Sequence, residues 1–86
     1  MPRISEFYGI VITMYYNDHA PPHFHARYAE YEGQIELESL IVSEGWLPPR
    51  TLAMVREWAL LHRQELLANW DAARRGVPLR KIPGLE

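Results

Sequence analysis

His23-Phe24-His25-Ala26-Arg27-Tyr28-Ala29-Glu30-Tyr31-Glu32-Gly33-Gln34-Ile35-Glu36-Leu37-Glu38 alternates with a period of two on both sides of a turn-like centre. Side chains two apart on a strand share a face, so Phe24, Ala26 and Tyr28 point one way and His23, His25 and Arg27 the other. After Glu30-Tyr31-Glu32-Gly33 the alternation resumes, Ile35 and Leu37 against Gln34, Glu36 and Glu38. A four-residue loop pairs Ala29 with Gln34, which sets Arg27 opposite Glu36 and His25 opposite Glu38. On the other face it sets Tyr28 beside Ile35 and Ala26 beside Leu37. The stretch reads as an antiparallel hairpin with one apolar and one polar face.

Upstream, Phe7 to Tyr16 is β-branched and aromatic, with Ile10, Ile12, Met14 and Tyr16 on one face, and stops at the turn-forming Asn17-Asp18. Downstream, Ile41 to Trp46 follows the Ser39-Leu40 turn as a short fourth strand, with Gly45 placed for a bulge. Pro48-Pro49 ends the sheet, and Pro49 suits the first position of a helix that runs to Gly76, with Arg74 and Arg75 at its negative end. On a 3.6-residue wheel Leu52, Val55, Ala59, His62, Leu66, Trp70 and Ala73 form one stripe, flanked by Trp58 and Asn69. The expected fold is therefore α+β. Residues 7–46 form a small antiparallel three- to four-stranded sheet, residues 49–75 form one long helix packed on its apolar face, and residues 76–86 form a tail.

A helix of that length spans roughly 39 Å, about twice the length of the strands, so its C-terminal turns overhang the sheet. Leu66, Leu67 and Trp70 then need cover from the tail or from a second chain. A second stripe, Met54, Leu61, Ala68 and Ala72, adds homo-oligomerisation through the helix as an option.

The chain has 86 residues, a length that makes a single domain with one small core. It has no cysteine, which excludes disulfides and thiolate metal sites. No stretch approaches the ~18 apolar residues of a membrane span and no charged leader precedes an apolar run, so the expected location is cytoplasmic. The formal charge of −2 hides an asymmetry. Residues 1–49 carry two positive and seven negative side chains, residues 50–86 seven positive and four negative. The net charge and a pI of about 6.1 disfavour a whole-surface nucleic-acid binder, and the asymmetry reads as neutralisation between the halves, with two faces for two partners as the alternative.

Three of the four histidines fall between Asp18 and Tyr28, in His19-Ala20-Pro21-Pro22-His23-Phe24-His25. Three chemistries fit them. His23 and His25, on one strand face, can offer two imidazoles to a Zn or Ni ion, with His19 or Asp18 arriving across the prolines as a third ligand and Glu38 holding the His25 tautomer. Without metal, His23 and His25 can shuttle protons in RNA cleavage while Arg27 stabilises the phosphorane and Tyr15 assists. Third, His19, Pro21, Pro22, His23, Phe24, His25 and Arg27 can form a rigid polar surface for a partner protein. Against all three stands the reading of His23, His25 and Arg27 as the solvated side of a strand beside acidic neighbours. His62 reads as a histidine at the edge of the core.

Met1-Pro2-Arg3-Ile4-Ser5 leading into Phe7-Tyr8-Gly9-Ile10-Val11-Ile12, the His19 to His25 string, Gly45 to Pro48, and Glu57-Trp58-Ala59 with Asn69-Trp70 resemble the bacterial domain of unknown function 4160 family over nearly the whole chain. The resemblance implies a neighbouring second small protein, of the domain of unknown function 2442 type, and a pairing like that of a toxin–antitoxin module. It implies no reaction. The functional expectation is a domain that acts by associating with that partner through the His-rich segment. The alternatives are metal-independent RNA cleavage and metal binding.

Overall fold

The computed structural model describes residues 2–86; Met1, where the quoted N-terminal motif begins, lies outside the described residues. Five antiparallel strands lie side by side in chain order: β1 (Arg3–Phe7), β2 (Ile10–Thr13), β3 (His23–Tyr28), β4 (Tyr31–Glu36) and β5 (Val42–Gly45). Two helices follow, α1 (Pro49–Leu61) and α2 (Arg63–Arg75). The α+β class stands, but the sheet has five strands rather than three or four, and the single long helix is two.

The extra strand comes from a turn inside the apolar run. Tyr8 and Gly9 both adopt positive φ (50° and 78°), which closes a two-residue hairpin and pairs Phe7 with Ile10. Paired positive φ values match the right-handed twist of the flanking strands, which is why such turns dominate short hairpins. Ile10, Ile12 and Met14 do share the buried face, whereas Tyr16 is exposed.

The β3–β4 hairpin is also tighter than the expected four-residue loop. Ala29 takes φ 54°, Tyr28 pairs with Tyr31, and the register sets Arg27 opposite Glu32 and His25 opposite Gln34, not Glu36 and Glu38. On the apolar face Ala26 meets Gly33, whose missing side chain leaves room for Leu47. The register differs from the expected one by an even number of residues, so the two faces keep their identities. Phe24, Ala26, Ile35 and Leu37 are buried under the helices, and the Phe24 ring meets Trp58 edge-on with centroids 5.8 Å apart. Tyr28, expected to join them, is exposed at the hairpin end. In β5 the irregularity falls at Ser43, skipped between the Gln34–Glu44 and Ile35–Val42 pairs, rather than at Gly45.

The helices part at His62 (φ −122°, ψ 29°). This break answers the overhang. Each 13-residue helix is roughly 20 Å long and fits a molecule whose extents are 33 × 26 × 22 Å, as a straight 39 Å rod would not. Two arginines tie the bend to the loop after β4: Arg56 Nε donates to the Leu40 carbonyl (2.9 Å) and Arg63 Nη1 to that of Leu37 (2.6 Å). The break rotates the buried stripe. Thr51, Val55, Trp58 and Ala59 are buried in α1, and Leu66, Asn69, Trp70, Ala72 and Ala73 in α2; Leu52 and His62 are only half-buried, and Leu67 is exposed. α2 ends at Gly76 in the left-handed region, with the Val77 amide returning to the Ala72 carbonyl (3.0 Å).

The tail completes the core. The Ile82 amide donates to the Ile4 carbonyl on the outer edge of β1 (2.7 Å), the Trp58 indole N–H to Pro83 O (2.8 Å), and Asn69 exchanges two hydrogen bonds with the Arg80 backbone (2.9 Å each). Ile82 is buried among the core residues.

Candidate functional site

The segment between β2 and β3 carries Asp18, His19 and the prolines. Asn17 turns the chain with φ 55°, and its amide donates to the Ala73 carbonyl (3.4 Å) near the C-terminus of α2. Asp18 follows at once, its Oδ1 accepting from the His19 amide at 2.9 Å. The Ala20–Pro21 bond is cis, and the Pro22 carbonyl accepts from the Leu37 amide (3.0 Å), which delivers His23 to the head of β3.

There three side chains converge. His23 Nε2 lies 2.8 Å and His25 Nε2 3.4 Å from Asp18 Oδ2. His23 Nδ1 lies 2.8 Å from the Pro21 carbonyl oxygen, and His25 Nδ1 lies 3.7 Å from Glu32 Oε2, within ion-pair range. The His23 ring is sandwiched: His19 and His25 lie 5.1 and 5.2 Å away and Trp70 of α2 5.2 Å away, centroid to centroid. The Tyr15 ring stands edge-on to His25 at 4.6 Å. Burial pushes the Asp18 carboxyl upward. The His19 amide, the two imidazole contacts and the charge of His23 outweigh it, and the carboxyl titrates below its ordinary value.

The geometry corrects several expectations. His23 is no solvated strand residue, because its side chain has no exposed surface. At the head of β3 it packs against Trp70, so this part of α2 is covered by His23 as well as by the tail. His25 is served by Asp18 and Glu32, not by Glu38. His19 is exposed, with Nδ1 3.2 Å from the Ala20 carbonyl, and Asp18 takes its place beside His23 and His25. Arg27 is exposed beyond the cluster, opposite Glu32. As a partner-contacting surface the segment loses His23 and Phe24, both buried, and keeps His19, Pro21, Pro22, His25 and Arg27. Asp18 and Glu32 on either side of His25 repel phosphate.

Sequence reasoning missed Trp70 and Glu32 as neighbours of the histidines. Glu32 carried a signal, since a two-residue hairpin puts it diagonal to His25 on the polar face. Trp70 carried none, because a helix residue's partner across the core is set by the bend at His62.

Among the described residues no helix is long and apolar enough to cross a membrane. Comparison with curated proteins and with solved structures gives no match. A family model described as a domain of unknown function, DUF4160, matches residues 9–71, a span that holds β2 to β5, both helices up to Asp71, and all of Asp18, His23 and His25. The chain belongs to that family.

Proposed function

We propose that this chain works by binding a partner protein in the cytoplasm, as one component of a toxin–antitoxin-like module, the partner being a small protein of the domain of unknown function 2442 type. One observation carries the reading. Around and beyond the helix break Leu60, Leu61 and Leu67 are 62%, 67% and 43% exposed, while the other large apolar side chains of the two helices are buried or half-buried. Three exposed leucines within eight residues of a small domain support a surface that another molecule covers. Leu67 also lines a cleft of about 330 Å³ with Pro22, Leu37, Glu38 and Arg63, which joins the helix face to the proline turn.

The test is to express this chain and the product of the adjacent gene singly and together. The expected result is a stable complex, growth arrest with one component alone and relief with both. Leu61→Glu combined with Leu67→Glu should weaken the complex by about 2 kcal/mol or more, as loss of a buried hot spot does. A double variant that binds as tightly as the parent, or a chain that only dimerises through these leucines, overturns the reading.

A further inference from the structure

His23 is the only buried titratable side chain among the described residues, and both of its ring nitrogens face acceptors. The Pro21 carbonyl can only accept, so Nδ1 carries the proton. In a neutral ring Nε2 then presents a lone pair to the Asp18 carboxylate. His25 is arranged alike. Its Nε2 faces the same Asp18 oxygen, and its Nδ1 lies 3.7 Å from Glu32 Oε2, in ion-pair range though beyond hydrogen-bond reach. These three ligand atoms lie within 4.8 Å of one another. Electron pairs so assembled repel unless a positive centre joins them, and the cost is greatest where water is excluded.

Protons answer these contacts only one ring at a time, each charged imidazole donating its Nε2–H to Asp18 Oδ2. A metal ion answers both. Zinc–ligand bonds of 2.0–2.1 Å in a tetrahedron put ligand atoms about 3.3 Å apart. The separations of 2.8 and 3.4 Å from Asp18 Oδ2 to the two imidazoles lie close to that edge length, and the third, between the imidazoles, is within 4.8 Å, so the rings close onto the ion by rotation. The outer partners also follow metal-site practice: the far nitrogen of His23 has a backbone carbonyl at 2.8 Å, and that of His25 has the Glu32 carboxylate within 3.7 Å.

We infer that Asp18 Oδ2, His23 Nε2 and His25 Nε2 are three ligands of a transition-metal site, for which Zn²⁺ is the fitting ion. Two nitrogens and one oxygen without thiolate suit zinc and, as probes, Co²⁺ and Ni²⁺. The half-buried edge of His25 leaves the fourth position to water. The ion clamps the turn from Asp18 to His23 onto β3, and this assignment stands apart from the partner reading, which needs no metal.

The experiment uses the chelator-stripped chain titrated with ZnCl2 by calorimetry, and with CoCl2 followed by its visible absorption. One Zn²⁺ should bind per chain and raise the melting temperature, and Co²⁺ should show the intense bands of tetrahedral coordination. Asp18→Asn and His25→Ala, each checked for folding by circular dichroism, should weaken Zn²⁺ binding more than Glu32→Gln, which as an outer partner should cost about 10–100-fold. His62→Ala should leave affinity unchanged. Absence of saturable Zn²⁺ binding by the parent chain, parental affinity in folded His25→Ala, or loss of binding in His62→Ala overturns the assignment.

Discussion

At the scale of single residues, Asp18 holds the His-rich segment together: its two oxygens collect the His19 amide and the facing nitrogens of His23 and His25. Its carboxyl is held below the ordinary value, burial opposing and the hydrogen bonds and the His23 charge prevailing. A group that is more acidic folded than unfolded contributes stability that is present above the unfolded pKa of about 3.9 and is lost as pH falls through the lower folded value. Metal-free protein should therefore lose stability on acidification below about pH 4. Asp18→Asn should flatten that limb of a plot of urea midpoint against pH, while an unchanged limb would remove Asp18 from the account. Asp18 was legible only as one of two options for a third ligand. Sequence spacing reports that a residue is near a histidine, not whether the intervening turn points it inward, and here the positive φ of Asn17 decides.

At the scale of elements, backbone conformation explains what sequence patterning revealed and what it hid. Period-two alternation identified the faces of β3 and β4 even with a wrong loop length, because the error was even. The Tyr8–Gly9 turn was missed because apolar residues on both sides made one run of two strands. The helix break was invisible for a different reason: no glycine or proline marks residues 59–65. It follows from tertiary ties through Arg56 and Arg63. Two glycines with similar φ separate backbone strain from crowding. Gly76 (φ 73°) has open space where a Cβ would go, so Gly76→Ala should cost about 1 kcal/mol for the left-handed backbone alone. At Gly45 (φ 79°) a Cβ would collide with the Glu32 carbonyl oxygen, so Gly45→Ala should cost about 3 kcal/mol or more. Equal effects in urea denaturation would contradict the close β4–β5 approach.

At the scale of the whole molecule, the core is closed by residues far apart in the chain. Ile82 is buried beside Ile4 and Trp58, so Ile82→Ala should destabilise by about 2–4 kcal/mol in thermal or urea melts, as for other deleted core side chains. A loss well under 1 kcal/mol would show that the tail only rests on the surface. The sequence offered the tail as one of two covers for α2, but not its seat on β1, because pairing across nearly the full chain length leaves no local periodicity. That seat also imposes an order on synthesis. The hairpins can form as soon as each emerges from the ribosome, whereas the outer edge of β1 keeps unsatisfied hydrogen-bonding groups until residue 82 has been added. Between the synthesis of β1 and that of residue 82 the nascent chain thus presents an open, adhesive strand edge, and crowding between neighbouring ribosomes on one message is the moment at which it is most exposed to mispairing.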